Sequence, residues 1–137
     1  MKKSNKENNN EELLQKQIDE LNNNLLILNI SEGLLYIFII ATIFNLDFIN
    51  YSKVKIYDIL NNTNDAEKLE NAKSEKIQSA QLFIFVTGIF VYINYYNFNN
   101  LKNQSNDYNE IYNGWQNFIA SILTFVAINI SASNIEF

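Results

Sequence analysis

Charged residues fall in blocks along this chain, and the blocks leave three long stretches, 33–46, 77–101 and 111–135, with no Asp, Glu, Lys or Arg. The second opens IQSAQLFIFVTGIFVYINYY, matching the roughly 20-residue helix that crosses a hydrocarbon layer about 30 Å thick. This pattern predicts an all-α fold, a polytopic membrane protein with three transmembrane helices spanning about 33–50, 77–97 and 112–133.

Upstream of the first span the pattern changes character twice. Residues 1–10 form a polar, low-complexity tail, too poor in apolar side chains to offset the entropy of ordering it, and are expected to be disordered. From Glu11 onward apolar residues recur at Leu14, Ile18, Leu21, Leu25 and Leu28, in alternating steps of four and three. That is the a/d seam of a heptad, and Leu35, Thr42 and Ile49 keep its phase. No Pro or strong stop intervenes before Asn45. The first helix is therefore expected to run from about Glu11 to Ile49. Its 11–32 part is read as an amphipathic or coiled-coil segment, and residues 33–137 as the three-helix transmembrane domain.

Asp47, Asn50 and the segment YSKVKIYDILNNTN are expected to break this helix and form the main loop, with Tyr51 and Tyr57 at headgroup level. Asn64 or Asp65, with Glu67 following, resembles a capping box and predicts the start of the second helix. Asp107 with Glu110 repeats that signal for the third helix, where Trp115 is placed as an interfacial anchor.

Composition removes function classes rather than adding them. The mean hydropathy of -0.15 understates the apolar windows because Asn-rich runs such as KENNNEE and NFNNLKN lower the average. With no Cys there is neither a disulfide nor a thiolate. With no His, the side chain most used for acid–base work near neutral pH and for transition metals is missing. The three glycines form no phosphate loop, and no nucleophile sits beside a base. No catalytic, cofactor-binding or metal site is expected, and the chain is read as non-enzymatic. A net charge of -5, with Lys interleaved among Asp and Glu, argues against a nucleic-acid partner.

Three sets of residues remain as candidates. Leu14, Ile18, Leu21, Leu25 and Leu28 would form a helix-association seam. The third helix carries small and polar residues at Gly114, Asn117, Ser121, Thr124 and Ser131, with Ala120 and Ala127 beside them. Close approach at small residues and interhelical hydrogen bonds drive association in lipid, so this stripe is the expected packing face. Gln78, Gln81, Gly88 and Tyr92 form a weaker stripe on the second helix. Glu32 is a possible intramembrane acid if the first span begins at Leu25, and an interfacial residue if it begins at Gly33.

Together these readings give a small integral membrane protein whose partners are the lipid bilayer and either further copies of itself or another membrane protein. The alternatives are a pore or channel former, holin-like or toxin-like, with a path lined by Ser121, Thr124 and Gln81, or a membrane immunity protein. Lys53, Lys55, Lys68, Lys73 and Lys76 lie between the first two spans. The positive-inside rule then favours that loop and the C-terminus in the cytoplasm, with the N-terminus outside.

Overall fold

The computed structural model describes residues 2–134, with side chains from residue 10 onward. Its described residues are all-helical: α1 Lys2–Asn61, α2 Asn71–Gln104 and α3 Tyr108–Ser133, with one 3-10 turn, Asp65–Leu69, between α1 and α2. Each of the three α-helices is long and apolar enough to cross a membrane. The chain divides into two compact units, Met1–Gly33 and Leu34–Phe137.

The first unit is a single helix. The backbone is helical from Lys2, so most of the polar tail expected to lack structure belongs to α1. Neither Pro nor Gly interrupts the chain before Gly33, which leaves nothing to stop the helix. Gln15 Nε2 donates to Asp19 Oδ1 at 3.0 Å, one turn on.

In the second unit α1 continues through the segment predicted to be the main loop. Asp47, Asn50 and the Lys residues that suggested a break are compatible with helix, and one face of the segment is packed. Tyr51, expected at headgroup level, is only 7% exposed, whereas Tyr57 is 61% exposed. Ser52 Oγ returns a hydrogen bond to the Phe48 carbonyl at 2.9 Å. The helix stops instead at Asn61. Asn62 takes a left-handed φ of 55°, and the Thr63 N–H donates to the Asp58 carbonyl at 3.0 Å. This is a Schellman-type end, with Asn in the place usually held by Gly.

The start of α2 also differs from the expected capping box. Asn64 makes no side-chain cap bond, and its Nδ2 donates to Glu67 Oε1 at 2.9 Å instead. α2 itself begins after Glu70 with no side-chain cap, and it is the preceding 3-10 turn that is capped, from the end of α1. The Asp58 carboxylate accepts the N–H groups of Asp65 at 3.0 Å and Ala66 at 2.7 Å, together with the Thr63 hydroxyl. The α3 start matches expectation, because Asp107 Oδ1 accepts the Asn109 N–H at 2.8 Å.

The 38–51 part of α1 packs antiparallel to α2. Along that contact Phe38 meets Phe83 edge to face at 4.7 Å. Ser79 Oγ donates to the Ala41 carbonyl at 2.7 Å, and Lys76 Nζ donates to Asn45 Oδ1 at 2.6 Å. Lys76 also lies over the Phe48 ring and Lys73 over Tyr51. The buried residues of α2 include Ala72, Ser79, Val86 and Ile93. Their seven-residue spacing is the signature of nearly parallel helix axes packed in a left-handed sense.

Candidate functional site

The α3 face turned to α2 is built from Ile111, Gly114, Phe118, Ser121, Phe125, Ile128 and Ala132, all buried or half-buried, in alternating steps of three and four. It fits by pairing a glycine on each helix with bulk on the other. A Cβ at Gly88 would lie 3.4 Å from the Phe125 ring. One at Gly114 would lie 2.7 Å from Leu101 Cδ1 and 3.6 Å from Phe98 Cα. Phe118 stacks with Phe98 at 6.2 Å and meets Tyr95 at 5.5 Å.

The predicted stripe of α3 therefore divides. Gly114 is buried and Ser121 half-buried on the α2-facing row, while Asn117, Thr124 and Ser131 are exposed on the adjoining row, with Ala120 and Ala127. Residue size alone could not reveal this, because the packed row mixes Gly, Ser and Ala with four large residues, Ile111, Phe118, Phe125 and Ile128. Of the weaker stripe on α2, Gly88 is half-buried against Phe125, whereas Gln78, Gln81 and Tyr92 are exposed.

An open cleft of about 350 Å³ lies beside this packing, lined by residues including Phe38, Thr87, Asn94, Asn117, Ser121 and Thr124. Its hydroxyls are already engaged by their own helices: Thr87 with Phe83, Ser121 with Phe118 and Thr124 with Ala120, each at the carbonyl oxygen. Among the described residues, the Asn94 and Asn117 carboxamides have no hydrogen-bond partner. The cleft is thus polar chiefly through two amides.

At the α1–α2 turn a second cleft, about 440 Å³, is bordered by Tyr51, Lys55, Asp58, Glu67, Glu70 and Lys73. Its charges are mixed. The hydrogen bond from Thr63, followed by that from the Ala66 N–H, holds the Asp58 carboxyl below the usual carboxylate range. The exposed Lys68–Asp65 pair, 2.7 Å apart, raises the Lys68 ammonium through that hydrogen bond and the opposite charge. These arrangements hold the turn together.

The heptad seam of α1 is solvent-facing throughout: Leu14 is 58% exposed, Ile18 41%, Leu21 67%, Leu25 56% and Leu28 65%. Glu32, in the same phase, is also exposed. In the second unit Leu35, Thr42 and Ile49 are exposed as well, because α2 takes the neighbouring row Leu34, Ile37, Ala41, Phe44, Phe48 and Tyr51. At the opposite end of α2, Tyr108, Tyr112 and Trp115 stack successively at 6.3 Å and 5.9 Å along α3, and Trp115 remains 44% exposed. Compared with known protein families, with curated proteins and with solved structures, the chain matches none of them.

Proposed function

We propose that the chain is a multi-pass integral membrane protein without enzymatic activity that works by helix–helix association, as an oligomeric scaffold or as a subunit of a membrane complex. The observation that carries this reading is the α1 seam, a regular row of five large apolar side chains left exposed. Solvated apolar rows of that regularity are what helix partners cover.

Orientation follows from the distribution of charge. Lys53, Lys55, Lys68, Lys73 and Lys76 gather on the α1–α2 turn and the helix ends that flank it. The aromatic belt of Tyr108, Tyr112 and Trp115 starts the helix antiparallel to α2. The positive-inside rule then puts the Lys-bearing turn and the C-terminal end of α3 in the cytoplasm, and the N-terminus outside.

The test is the size of the protein in lipid nanodiscs and by crosslinking in membranes. Ile18→Asp with Leu21→Asp should dissolve the complexes, while the paired control Lys16→Asp with Asn23→Asp, on the other side of the helix, should leave them intact. Equal behaviour of the two variants would remove the seam from the mechanism. The three-helix cleft, with its two unbonded carboxamides, favours one second reading, an oligomeric pore. Inducible expression that collapses membrane potential, with Asn117→Leu abolishing the collapse, would decide for the pore over the scaffold.

A further inference from the structure

Two independent observations meet on the N-terminal part of α1. The first concerns depth. Lys76 is the last charged residue before the charge-free run of α2, and its Nζ bonds Asn45 Oδ1 at 2.6 Å. Asn45 therefore stands level with the polar edge of that run. The 34–44 stretch of α1 rises only about 16 Å at 1.5 Å per residue, roughly half of a hydrocarbon layer about 30 Å thick. Completing the crossing takes about nine more residues, which carries the apolar edge back to Leu25. The span moves from about 33–50 to about 25–44, and Glu32 falls inside it.

The second observation concerns register. The seam places Leu14, Leu21 and Leu28 at d positions and Ile18 and Leu25 at a positions, and Glu32 takes the next a position. The flanking e and g positions, Gln15, Gln17, Asn22, Asn24, Asn29 and Ser31, carry no charge at all. The charges Glu12, Lys16, Asp19 and Glu20 sit at b, c and f. In a parallel pair, g of one helix faces e of the next heptad on its mate, so Gln17 meets Asn22 and Asn24 meets Asn29 of the second copy. A carboxamide both donates and accepts. Identical copies are thus self-complementary along both flanks, with nothing there to repel a copy or to select a charged stranger.

We propose, building on the association reading above, that the partner of α1 is a second copy of this chain in a parallel two-stranded coil from Leu14 to Glu32. The two Glu32 side chains face each other across its axis within the hydrocarbon. Parallel pairing follows from insertion, since copies with one topology present α1 in one direction. The β-branched Ile18 at a, with Leu at each of the three d positions, favours two strands. A carboxyl in hydrocarbon seeks polar contacts from protein, having oxygens enough for several. A single polar a position then fixes the register of the pair.

The natural chain has no cysteine, so single-Cys variants of the full chain report contacts directly. In vesicles of phosphatidylcholine and phosphatidylglycerol under mild oxidation, Ile18→Cys, Leu21→Cys, Leu28→Cys and Glu32→Cys should form disulfide dimers at least tenfold faster than Lys16→Cys, Asn23→Cys and Ile30→Cys. A membrane-impermeant maleimide should modify Asn64→Cys and spare Glu32→Cys. In the Leu28→Cys background, Glu32→Gln should keep the crosslink and Glu32→Ala should slow it several-fold. A flat profile along α1, ready maleimide labelling at position 32, or indifference to Glu32→Ala would each overturn the proposal. If the profile is flat while the wild-type chain still migrates as a multimer in nanodiscs, association proceeds by another face and the broader reading stands. A monomeric wild type with no hetero-partner complex removes both.

Discussion

The α1–α2 contact can be tested at one side chain. Ser79 is 2% exposed, its hydroxyl donates to the Ala41 carbonyl at 2.7 Å, and Ala41 is fully buried. Two substitutions separate hydrogen bonding from packing there. Ser79→Ala removes the donor and leaves no unsatisfied group, because the Ala41 carbonyl still accepts its own helical N–H. An interhelical hydrogen bond in a bilayer protein is worth about 0.6 kcal/mol on average, which corresponds to roughly a threefold change in the opening equilibrium. Ser79→Leu forces bulk against a buried alanine. Overpacking of a filled site costs about 1–3 kcal/mol, or roughly 5- to 150-fold.

A thiol at Val86, the fully buried position one heptad further along α2, serves as the reporter. When closing is faster than labelling, the modification rate of Val86→Cys in bicelles measures the open fraction. Relative to that background, Ser79→Ala should label about threefold faster and Ser79→Leu at least tenfold faster. Were the alanine variant to open as readily as the leucine variant, the hydroxyl rather than close approach would dominate the contact. No response to either would mean that this face of α2 does not pack on α1 at all.

Other expectations follow from single sites. At Gly114 a new methyl meets the mobile end of Leu101 before it reaches backbone, and helix propensity gains about 1 kcal/mol from Gly to Ala. Gly114→Ala should therefore leave the α2–α3 contact near neutral, whereas Gly114→Leu should loosen it at least fivefold, both read by thiol protection of Ser121→Cys. Asp58 has its carboxyl lowered by Thr63 and the Ala66 N–H. Its contribution to the turn is then complete above the unfolded carboxylate value and is lost as pH falls through the lowered folded one. Protection of the Asp65 and Ala66 amides, measured against the intrinsic exchange rate at each pH, should fall on acidification in the wild type, and Asp58→Asn should show that low protection already at neutral pH. In oriented membranes, Asn64→Cys should react only from the cytoplasmic side and Asn103→Cys only from outside. Inverted labelling would refute the orientation.

The helices and their apolar stretches were legible because charge is excluded from them in long blocks, and because no Pro and only three Gly interrupt the chain. The α3 start was legible too, since Asp107 caps its own helix. What failed was anything set by a partner element. The segment around Tyr51 reads as loop by its polar residues, yet α2 covers its inner face and Lys73 lies over the ring. The 3-10 turn that precedes α2 is capped by Asp58, at the end of α1, and α2 itself starts after Glu70 with no side-chain cap, so local capping rules pointed to Asn64. On α3 the small residues were visible, but which of two adjoining rows meets α2 depends on where Gly88 receives Phe125.

Lipid and water make opposite demands on this arrangement, and that contrast bears on every reading above. The buried apolar residues are Leu34, Ala41, Tyr51, Ala72, Val86 and Ile93, among the described residues, and two of the six are alanines. Large side chains such as Leu35, Ile39, Ile43, Leu123, Val126 and Ile130 stay 46–64% exposed along the helices they share with that core. In water such surfaces drive association or aggregation. In a bilayer they face a solvent as apolar as themselves, and the polar atoms become the constraint. The threonine hydroxyls along the apolar stretches meet it by bonding within their own helix, Thr42 to Phe38, Thr87 to Phe83 and Thr124 to Ala120, and Ser79 meets it by bonding the Ala41 carbonyl across the α1–α2 contact. The Asn129 carboxamide bonds within its own helix, to Phe125. The chain should accordingly fractionate with membranes through carbonate washing and require detergent for release. A monodisperse, detergent-free solution of the purified protein would show that its apolar rows are covered by one another, and the membrane reading would have to be given up.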